Sequence, residues 1–472
     1  MKKLRIFLAN LGLRSPLFQL TTPPMGLLYL AAYVRDRFPV EIKIVNQRLE
    51  GCSNEALAQM ALEYNGDITG FGCITPASHG LPAVVKAVRA GAPDMKIIIG
   101  GPHVSACGHS LLESLPADAA FIGEGEISLS MYLDVLQGNG SLEDIPGLAW
   151  RNEAGEVITN PGVSPIVENL DDLPMPAYDL IDLPRYWRVQ SVAPIPRRRY
   201  FSMVTSRGCP YGCTWCHNIF GRKFRFHTPE RVVAELSRFT QEYNINDVEF
   251  IDDCYNLRRE RVLEIADLIA QKNLKLKIAF PNGVRADLID ETMMDALSQS
   301  GIYFCSFALD SASPRIQKLT HKNLDLDKFL HAVELASAKR VFTNGFMMLG
   351  FPEETEEEMQ ATISMATNSR LHTASFYTVT PFPGTPLFDY ARIHYPDRLQ
   401  ILDYSNMDFC TMRTNISAVP DKTLYYFQRK ANRNFFLKPN RLYRILRDYP
   451  QPQLLPLYLP IVLDRMSKGL FH

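Results

Sequence analysis

Ser206-Arg207-Gly208-Cys209-Pro210-Tyr211-Gly212-Cys213-Thr214-Trp215-Cys216-His217 is the stretch on which the reading of this chain turns. Its cysteines are spaced Cys-x-x-x-Cys-x-x-Cys on one short loop. Three thiolates so placed can hold three corners of a [4Fe–4S] cube, because soft sulfur ligands suit iron–sulfur clusters. With no evident fourth ligand nearby, one iron stays open to bind a small molecule, so the pattern points to a catalytic cluster. Two other readings compete. Cys213-Thr214-Trp215-Cys216-His217 also fits the attachment pattern of a c-type haem, which requires export. His217 could complete a tetrahedral zinc site, although structural zinc sites usually join two separated ligand pairs.

Composition bounds the answer. The chain has 472 residues, 46% hydrophobic and 21% charged, enough for two or three globular, soluble domains. A net charge of −1 gives no case for nucleic-acid binding. Cys52, Cys73, Cys107, Cys254, Cys305 and Cys410 lack paired spacing. They read as small buried hydrophobes in a reducing cytosol, not as a disulfide framework. Met1-Lys2-Lys3 precedes an apolar run, but Arg5 interrupts it and no small-residue cleavage site follows. Leu4–Ala9 is therefore expected to be a strand. No run reaches the length of a transmembrane helix, and the expected location is cytoplasmic.

In the first third, short apolar runs at 4–9, 40–45, 68–73, 96–99 and 119–122 alternate with helical stretches at 25–37, 54–63 and 80–90. The pattern predicts an α/β unit whose parallel sheet is doubly wound, Rossmann-like, with flavodoxin-type order. Ligands of such sheets sit beyond the carboxyl ends of the strands. Gly72-Cys73-Ile74-Thr75, Gly100-Gly101-Pro102-His103 and Gly123-Glu124-Gly125-Glu126 fall there, and the glycines would let the backbone approach a bulky ligand.

Residues 146–195 are punctuated by proline and lack sustained period, so they read as an extended interdomain linker. Pro196-Arg197-Arg198-Arg199 reads as a solvated basic face near the cysteine loop. From 196 to 385 the β/α alternation resumes over six repeats, predicting a partial (β/α)6 TIM barrel with its chemistry at the carboxyl ends of the strands. Asp252-Asp253, Arg285, Asp310-Ser311 and Gly350-Phe351-Pro352-Glu353 fall at those ends.

Arg207-Gly208-Cys209-Pro210, with Trp215 just before the last cysteine, resembles the lead-in of the radical S-adenosylmethionine (SAM) superfamily. The glycine-rich strand ends, taken with Pro23-Pro24-Met25-Gly26-Leu27-Leu28-Tyr29-Leu30-Ala31, resemble the cobalamin (B12)-binding domain found before many such barrels; this likeness covers 1–145. The resemblance implies that Cys209, Cys213 and Cys216 ligate a [4Fe–4S] cluster, with Trp215 beside it and SAM on the open iron. It implies that Asp252 or Asp253 holds the SAM ammonium group, the alternative being helix capping. Arg285 would pair with the SAM carboxylate, the alternative being a surface or interdomain ion pair. Asp310-Ser311 stands where relatives show Glu-Ser, toward the ribose. Gly350, Pro352 and Glu353 match the turn near the adenine, and Thr380-Pro381-Phe382-Pro383-Gly384-Thr385-Pro386 matches the closing segment. Thr75, Gly100, Gly101, His103, Gly123, Glu124 and Gly125 would face cobalamin. No histidine occurs between Asn10 and Pro24, so the Asp-x-His-x-x-Gly ligand motif is missing. Cys73 stands where a small hydroxyl residue often packs on the nucleotide tail, which leaves a domain that keeps the fold without cobalamin as the alternative.

The activity this resemblance implies is reductive cleavage of SAM to a 5′-deoxyadenosyl radical, then methylation of an unactivated carbon or phosphorus centre. The substrate would be a small or lipid-like molecule, and the reductant a flavodoxin or ferredoxin-type protein. The alternative is radical rearrangement, ring contraction or cyclisation, with cobalamin as redox partner or absent. A metal-binding scaffold without catalysis is the third reading.

Residues 386–472 lose the β/α rhythm and read as a basic, mainly helical region. Between 422 and 472 there are ten Lys/Arg and two Asp/Glu. Leu442, Ile445, Leu446 and Tyr449 form one helical stripe, while Arg441, Arg444 and Arg447 occupy another face. The expectation is a helix packed on the barrel with its Arg stems covering apolar surface and their heads in water. The alternatives are peripheral contact with an anionic inner-membrane face or docking of an acidic electron donor. The apolar run Leu454–Leu463 is broken by Pro456 and Pro460 and cannot span a bilayer.

If three thiolates share one cube, each is needed. Cys213→Ala is expected to lose bound iron and to abolish reductive SAM cleavage in an anaerobic assay with dithionite; normal cleavage would remove the cluster assignment.

Overall fold

Two parallel sheets, each built from alternating strands and helices, organise the computed structural model, which describes residues 2–14, 20–195, 198–405, 407 and 412–456. In the first, β1 (Leu4–Asn10), β2 (Val40–Asn46), β3 (Ile68–Gly72), β4 (Lys96–Gly100) and β5 (Ala119–Ala120) run parallel in the order β2-β1-β3-β4-β5. This is the flavodoxin-type order expected. The helix Leu81–Gly91 shows why: Leu81, Val84, Val85 and Val88 recur at helical spacing and are buried. They pack on Phe7, Phe71, Ile97 and Ile99 of one sheet face. On the other face Leu8, Ile98 and Phe121 meet Val34 and Leu129 of the helices Met25–Arg35 and Glu126–Leu136.

The sheet does not end at β5. β6 (Ala149–Arg151) and β7 (Val157–Thr159) form an antiparallel hairpin on its edge, making seven strands. The start of the expected linker 146–195 therefore belongs to this sheet. Trp150, buried, donates from Nε1 to Asn160 Oδ1 at 2.9 Å and locks the hairpin. Three-residue strands are too short for an alternation to register in sequence. The rest of the connection runs through short helical turns and sends Leu170, Leu173, Tyr178 and Leu183 into the core of the second domain.

That second sheet contains β8 (Tyr200–Met203), β11 (Asp247–Phe250), β12 (Lys277–Val284), β13 (Ile302–Asp310), β14 (Phe342–Leu349) and β15 (Thr373–Thr378), six parallel strands in chain order. A short antiparallel pair, β9 (Ser206–Arg207) and β10 (Arg225–Phe226), brackets the cysteine loop. Amphipathic helices cover the outside; Pro229–Glu242 buries Val232, Val233, Leu236 and Phe239. The result is the open (β/α)6 barrel expected.

Two charged segments depart from their expected places. Arg198 is not part of a solvated face. Its side chain is 1% exposed, with Nη1 2.7 Å from Asp247 Oδ1 and Nη2 on Glu249. The first acid lies at the amino end of β11 and the second within it, so Arg198 plugs the barrel floor. Pro196 and Arg197 lie outside the described residues, as do Cys410 and the run from 457 onward.

The second departure is the helix Pro439–Asp448, which turns Arg441 inward while Arg444 is half-buried and Arg447 exposed. Arg441 is 1% exposed. It donates to the carbonyls of Leu371 at 3.1 Å, Phe435 at 2.7 Å, Ala366 at 3.3 Å, Thr367 at 3.0 Å and Ser369 at 3.0 Å. Three of these carbonyls end the helix Glu356–Asn368, where acceptors lack partners within the helix and carry its negative pole. That carbonyl cluster outcompetes the apolar stripe. Ile445 and Tyr449 stay buried, but Leu446 is 60% exposed and Leu442 36%. Among the described residues no helix is long and apolar enough to cross a membrane.

Removing the guanidinium strands several buried acceptors, and each costs about 1–3 kcal/mol. Arg441→Leu should therefore lower unfolding free energy by at least about 3 kcal/mol in urea, whereas Leu446→Ser should stay within about 0.5 kcal/mol. Equal losses would contradict this packing.

Candidate functional site

The carboxyl ends of both sheets open into one cavity of about 1510 Å³. From the first domain it is lined by Gly72, Cys73, Gly100, Gly101, Gly123 and Gly125, and from the barrel by Asn282, Ser306, Asn344 and Ser375. A Cβ added at Gly72, Gly100 or Gly123 would meet nothing nearer than 3.7 Å, so it would intrude on the cavity instead of the protein. These glycines form a cradle that any side chain would fill. Gly101 is different: at φ +91° its Cβ would lie 3.1 Å from Cys73 N and O, so its glycine serves the close turn against β3. Thr75 and His103 lie behind the rim, not among the lining residues, and pair with each other, Nδ1 to Oγ1 3.2 Å. Burial lowers the His103 pKa.

Glu124 lines the cavity and also makes a contact that its sequence surroundings do not reveal. Arg207, two residues before the first loop cysteine, places Nη1 2.6 Å from Glu124 Oε2 and Nη2 2.7 Å from Glu126 Oε1. Arg225 also contacts Glu124, and donates to Val167 O at 2.6 Å. All four side chains are 6% exposed or less. Tyr29 and Phe220 stand on the guanidinium of Arg207 at 5.0 and 5.2 Å. Glu124 thus joins the first sheet to the cysteine loop.

Gly208, at φ +87°, turns the chain from β9 into that loop; a Cβ there would come 2.3 Å from Lys223 O. The loop is held at several points. Cys209 N donates to Gly221 O at 3.2 Å, Thr214 N to Thr320 O at 3.0 Å, and Leu387 N to Thr214 O at 2.9 Å. Cys209, Cys213 and Cys216 are free thiols, the last exposed and the others half-buried. Their soft donor set on one loop fits an iron–sulfur cube. His217 Nε2 lies 2.9 Å from Pro383 O, which fixes the ring at the end of the loop. Cys254, read from sequence as a buried hydrophobe, lies beside Cys209, and its hydrogen bond lowers the Cys209 pKa to about 7. Trp215 packs edge-on against Phe351, centroids 5.2 Å apart.

The acids after β11 divide. Asp252 is buried, and its Oδ1 accepts from Thr205 N at 3.0 Å, Thr205 Oγ1 at 2.7 Å and Ser206 Oγ at 2.5 Å. Its Oδ2 is buried with no hydrogen-bond partner. Asp253 opens to solvent at the loop, yet surrounding protein, then the charge of Asp252, raises its pKa to about 6. Neither caps the following helix, whose N-cap is Arg258 without a side-chain bond.

Arg285 forms a largely buried ion pair within the barrel, neither at the surface nor between domains. Nε and Nη2 reach Asp287 at 2.9 and 3.1 Å, and Nη2 also reaches the carbonyls of Lys322 and Asn323, both at 3.1 Å. The guanidinium lies 3.7 Å over the Tyr211 ring, so Arg285 braces the cysteine loop. Asp310 ends β13 at φ +60°, with Lys322 Nζ 2.7 Å from its Oδ2. The contact is one of charge, since Oδ2 has no aligned hydrogen bond and keeps acceptor capacity. Ser311 faces the protein, accepting from Ser313 N at 3.2 Å.

At the turn after β14, Glu353 is exposed and pairs with Arg315 at 3.5 Å. Glu354 is the acid that folds inward, accepting from Gly350 N at 2.6 Å and Phe351 N at 3.1 Å; burial raises its pKa to about 8. Gly350, at φ +94°, packs against Leu424, and Pro352 is buried. This turn carries Phe351 and so supports Trp215. The basic C-terminal region also contributes: Tyr425, Gln428, Arg429 and Asn432 of the helix Asp421–Phe436 line the cavity. Lys322, Cys254 and these helix residues were missed because no motif includes them, and Glu354 because the motif pointed to its neighbour Glu353.

Comparison with known proteins agrees with this layout. Residues 203–366 match the radical SAM superfamily model, and residues 18–132 match the B12 binding domain model. An uncharacterized methyltransferase of Pyrococcus horikoshii is 30% identical over 432 residues, 91% of each chain. The cytidylyl-2-hydroxyethylphosphonate methyltransferase of Streptomyces wedmorensis is 28% identical over 414 residues, 78% of this chain and 77% of that one. Among solved structures, the cobalamin-dependent SAM radical enzyme OxsB, with aqua-cobalamin and SAM bound, superposes with a TM-score of 0.76 at 16% identity, covering 99% of this chain and 72% of that one.

Breaking a buried ion pair from one side costs about 3–5 kcal/mol. Arg207→Met is therefore expected to destabilise by that order. Amide exchange should rise first in residues 123–126 and in the cysteine loop; uniform acceleration across both sheets would contradict an interdomain clamp.

Proposed function

Because the chain belongs to the radical SAM superfamily and carries a B12-binding domain before its barrel, we propose that it methylates an unactivated carbon or phosphorus centre of a small molecule. The observation that carries this reading is the cavity shared by the glycine cradle and the barrel wall, which reaches the flanks of the cysteine loop at Arg207, Ile219 and Phe220 but not the cysteines themselves. When bound, the cluster and SAM supply one-electron cleavage chemistry, and cobalamin supplies methyl-group carriage.

The chain's own residues would divide the work as follows. Cys209, Cys213 and Cys216 would hold three irons and leave the fourth accessible. The unpartnered Oδ2 of Asp252 would accept from a polar group of SAM, and Asp310, paired with Lys322, would offer its remaining acceptor capacity. The cradle at Gly72, Gly100 and Gly123 would admit the corrin ring. Asn282, Ser306, Asn344 and Ser375 would orient a polar substrate by hydrogen bonds, while the enclosing walls keep water from the reacting centre. A flavodoxin or ferredoxin-type protein would deliver the electron, in the cytoplasm.

Anaerobic reconstitution with cobalamin, followed by mass spectrometry of SAM products, tests the reading. S-adenosylhomocysteine with 5′-deoxyadenosine supports methyl transfer; 5′-deoxyadenosine alone would replace it with rearrangement or cyclisation. Gly100→Val should weaken cobalamin binding at least tenfold by equilibrium dialysis while iron content stays unchanged. Unaltered cobalamin affinity would remove the cradle.

A further inference from the structure

Three thiolates and the carboxylate of Asp310 gather around the proposed cluster, and a cation from outside the motif answers them. Lys322 lies in the turn after the short helix Pro314–Leu319, between His321 and Asn323, whose φ angles are +56° and +48°. Left-handed backbone at non-glycine residues persists where the surroundings fix it. Here they do. Gln317 O accepts from Lys322 N at 3.0 Å and from Asn323 N at 3.2 Å. Gln317 Oε1 accepts from Leu324 N at 3.0 Å. Thr320 O accepts from Thr214 N of the cysteine loop at 3.0 Å. Arg285, stacked on Tyr211 of that loop, grips the carbonyls of Lys322 and Asn323.

The turn is therefore built onto the cysteine loop, and it delivers one ammonium group. Lys322 Nζ lies 2.7 Å from Asp310 Oδ2, with the two side chains 13% and 8% exposed. Burial alone would lower the lysine's pKa, but Asp310 and Cys213 outweigh it and raise it, so the side chain is a cation. The turn that carries it is hydrogen-bonded to Thr214, the residue after Cys213. The other nearby cation, Arg285, is paired bidentately with Asp287.

We propose that Lys322 is a positioning residue whose buried charge raises the reduction potential of the cluster held by Cys209, Cys213 and Cys216, with Asp310 moderating it. This rests on the cluster reading above. Reduction adds a negative charge to the cluster, and a fixed cation in a poorly screened site stabilises the reduced form more than the oxidised one. A merely structural lysine would affect assembly and leave the potential of assembled clusters unmoved.

The test is a redox titration of the full reconstituted chain, monitored by electron paramagnetic resonance without SAM, with iron and sulfide counted in each sample. Lys322→Met should keep its cluster and shift the midpoint to more negative potential, and Lys322→Arg should recover part of the shift. Asp310→Asn should move the midpoint the other way. An unmoved midpoint in Lys322→Met overturns the inference while leaving the cluster reading intact. Should Lys322→Met fail to assemble, Asp310→Asn decides: a positive shift supports the inference and an unchanged midpoint overturns it. Failure of the unaltered chain to take up a cluster overturns the site reading and the inference together.

Discussion

The buried pairing of Arg207 and Arg225 with Glu124 and Glu126 is the contact on which the site's geometry depends. Glu124 sits on the loop after β5 and Glu126 opens the helix Glu126–Leu136, while each arginine sits on a strand bracketing the cysteine loop. Two like charges on each side, nearly stripped of water, are tolerable only when matched in register, because an unmatched buried charge is costly. The pairing therefore specifies one arrangement of the two sheets. That arrangement turns the glycine ends of one toward the carboxyl ends of the other and leaves the cavity between them.

Around the cavity, charge is placed by rigid turns and not by long exposed side chains. Asp310, His321 and Asn323 all accept left-handed φ values to present their neighbours to the cysteine loop. Glu354 organises the turn under Trp215 through two backbone N–H groups. Arg285, whose fork matched a carboxylate in the sequence reading, meets one within the protein, in Asp287. A motif residue of the right chemical type can thus serve the loop that holds a ligand instead of the ligand itself.

The architecture was legible because its signals are local. Strand alternation, glycine at strand ends and the cysteine spacing lie within a few residues, and the parallel strands of both sheets followed from them, though the β6–β7 hairpin did not. What sequence hid depends on distant partners. Glu124 reads only as a ligand until Arg207 is seen 2.6 Å away, 83 residues on in the chain. Arg441 reads as solvated until the carbonyls after Glu356–Asn368 are placed beneath it. Periodicity found that helix but misassigned its face, since hydropathy does not register carbonyls that need a donor. Cys254 and Lys322 carry no motif and gain meaning only from the loop they touch.

The central claim is that one cavity brings cobalamin and the cluster together. Electron paramagnetic resonance of the chain loaded with Co(II) cobalamin and a reduced cluster tests it directly, since two nearby unpaired spins shorten each other's relaxation. The account predicts that the Co(II) signal relaxes faster when the cluster is reduced, and loses that enhancement in the Cys213→Ala chain. A Co(II) signal indifferent to the cluster's presence and oxidation state would contradict it.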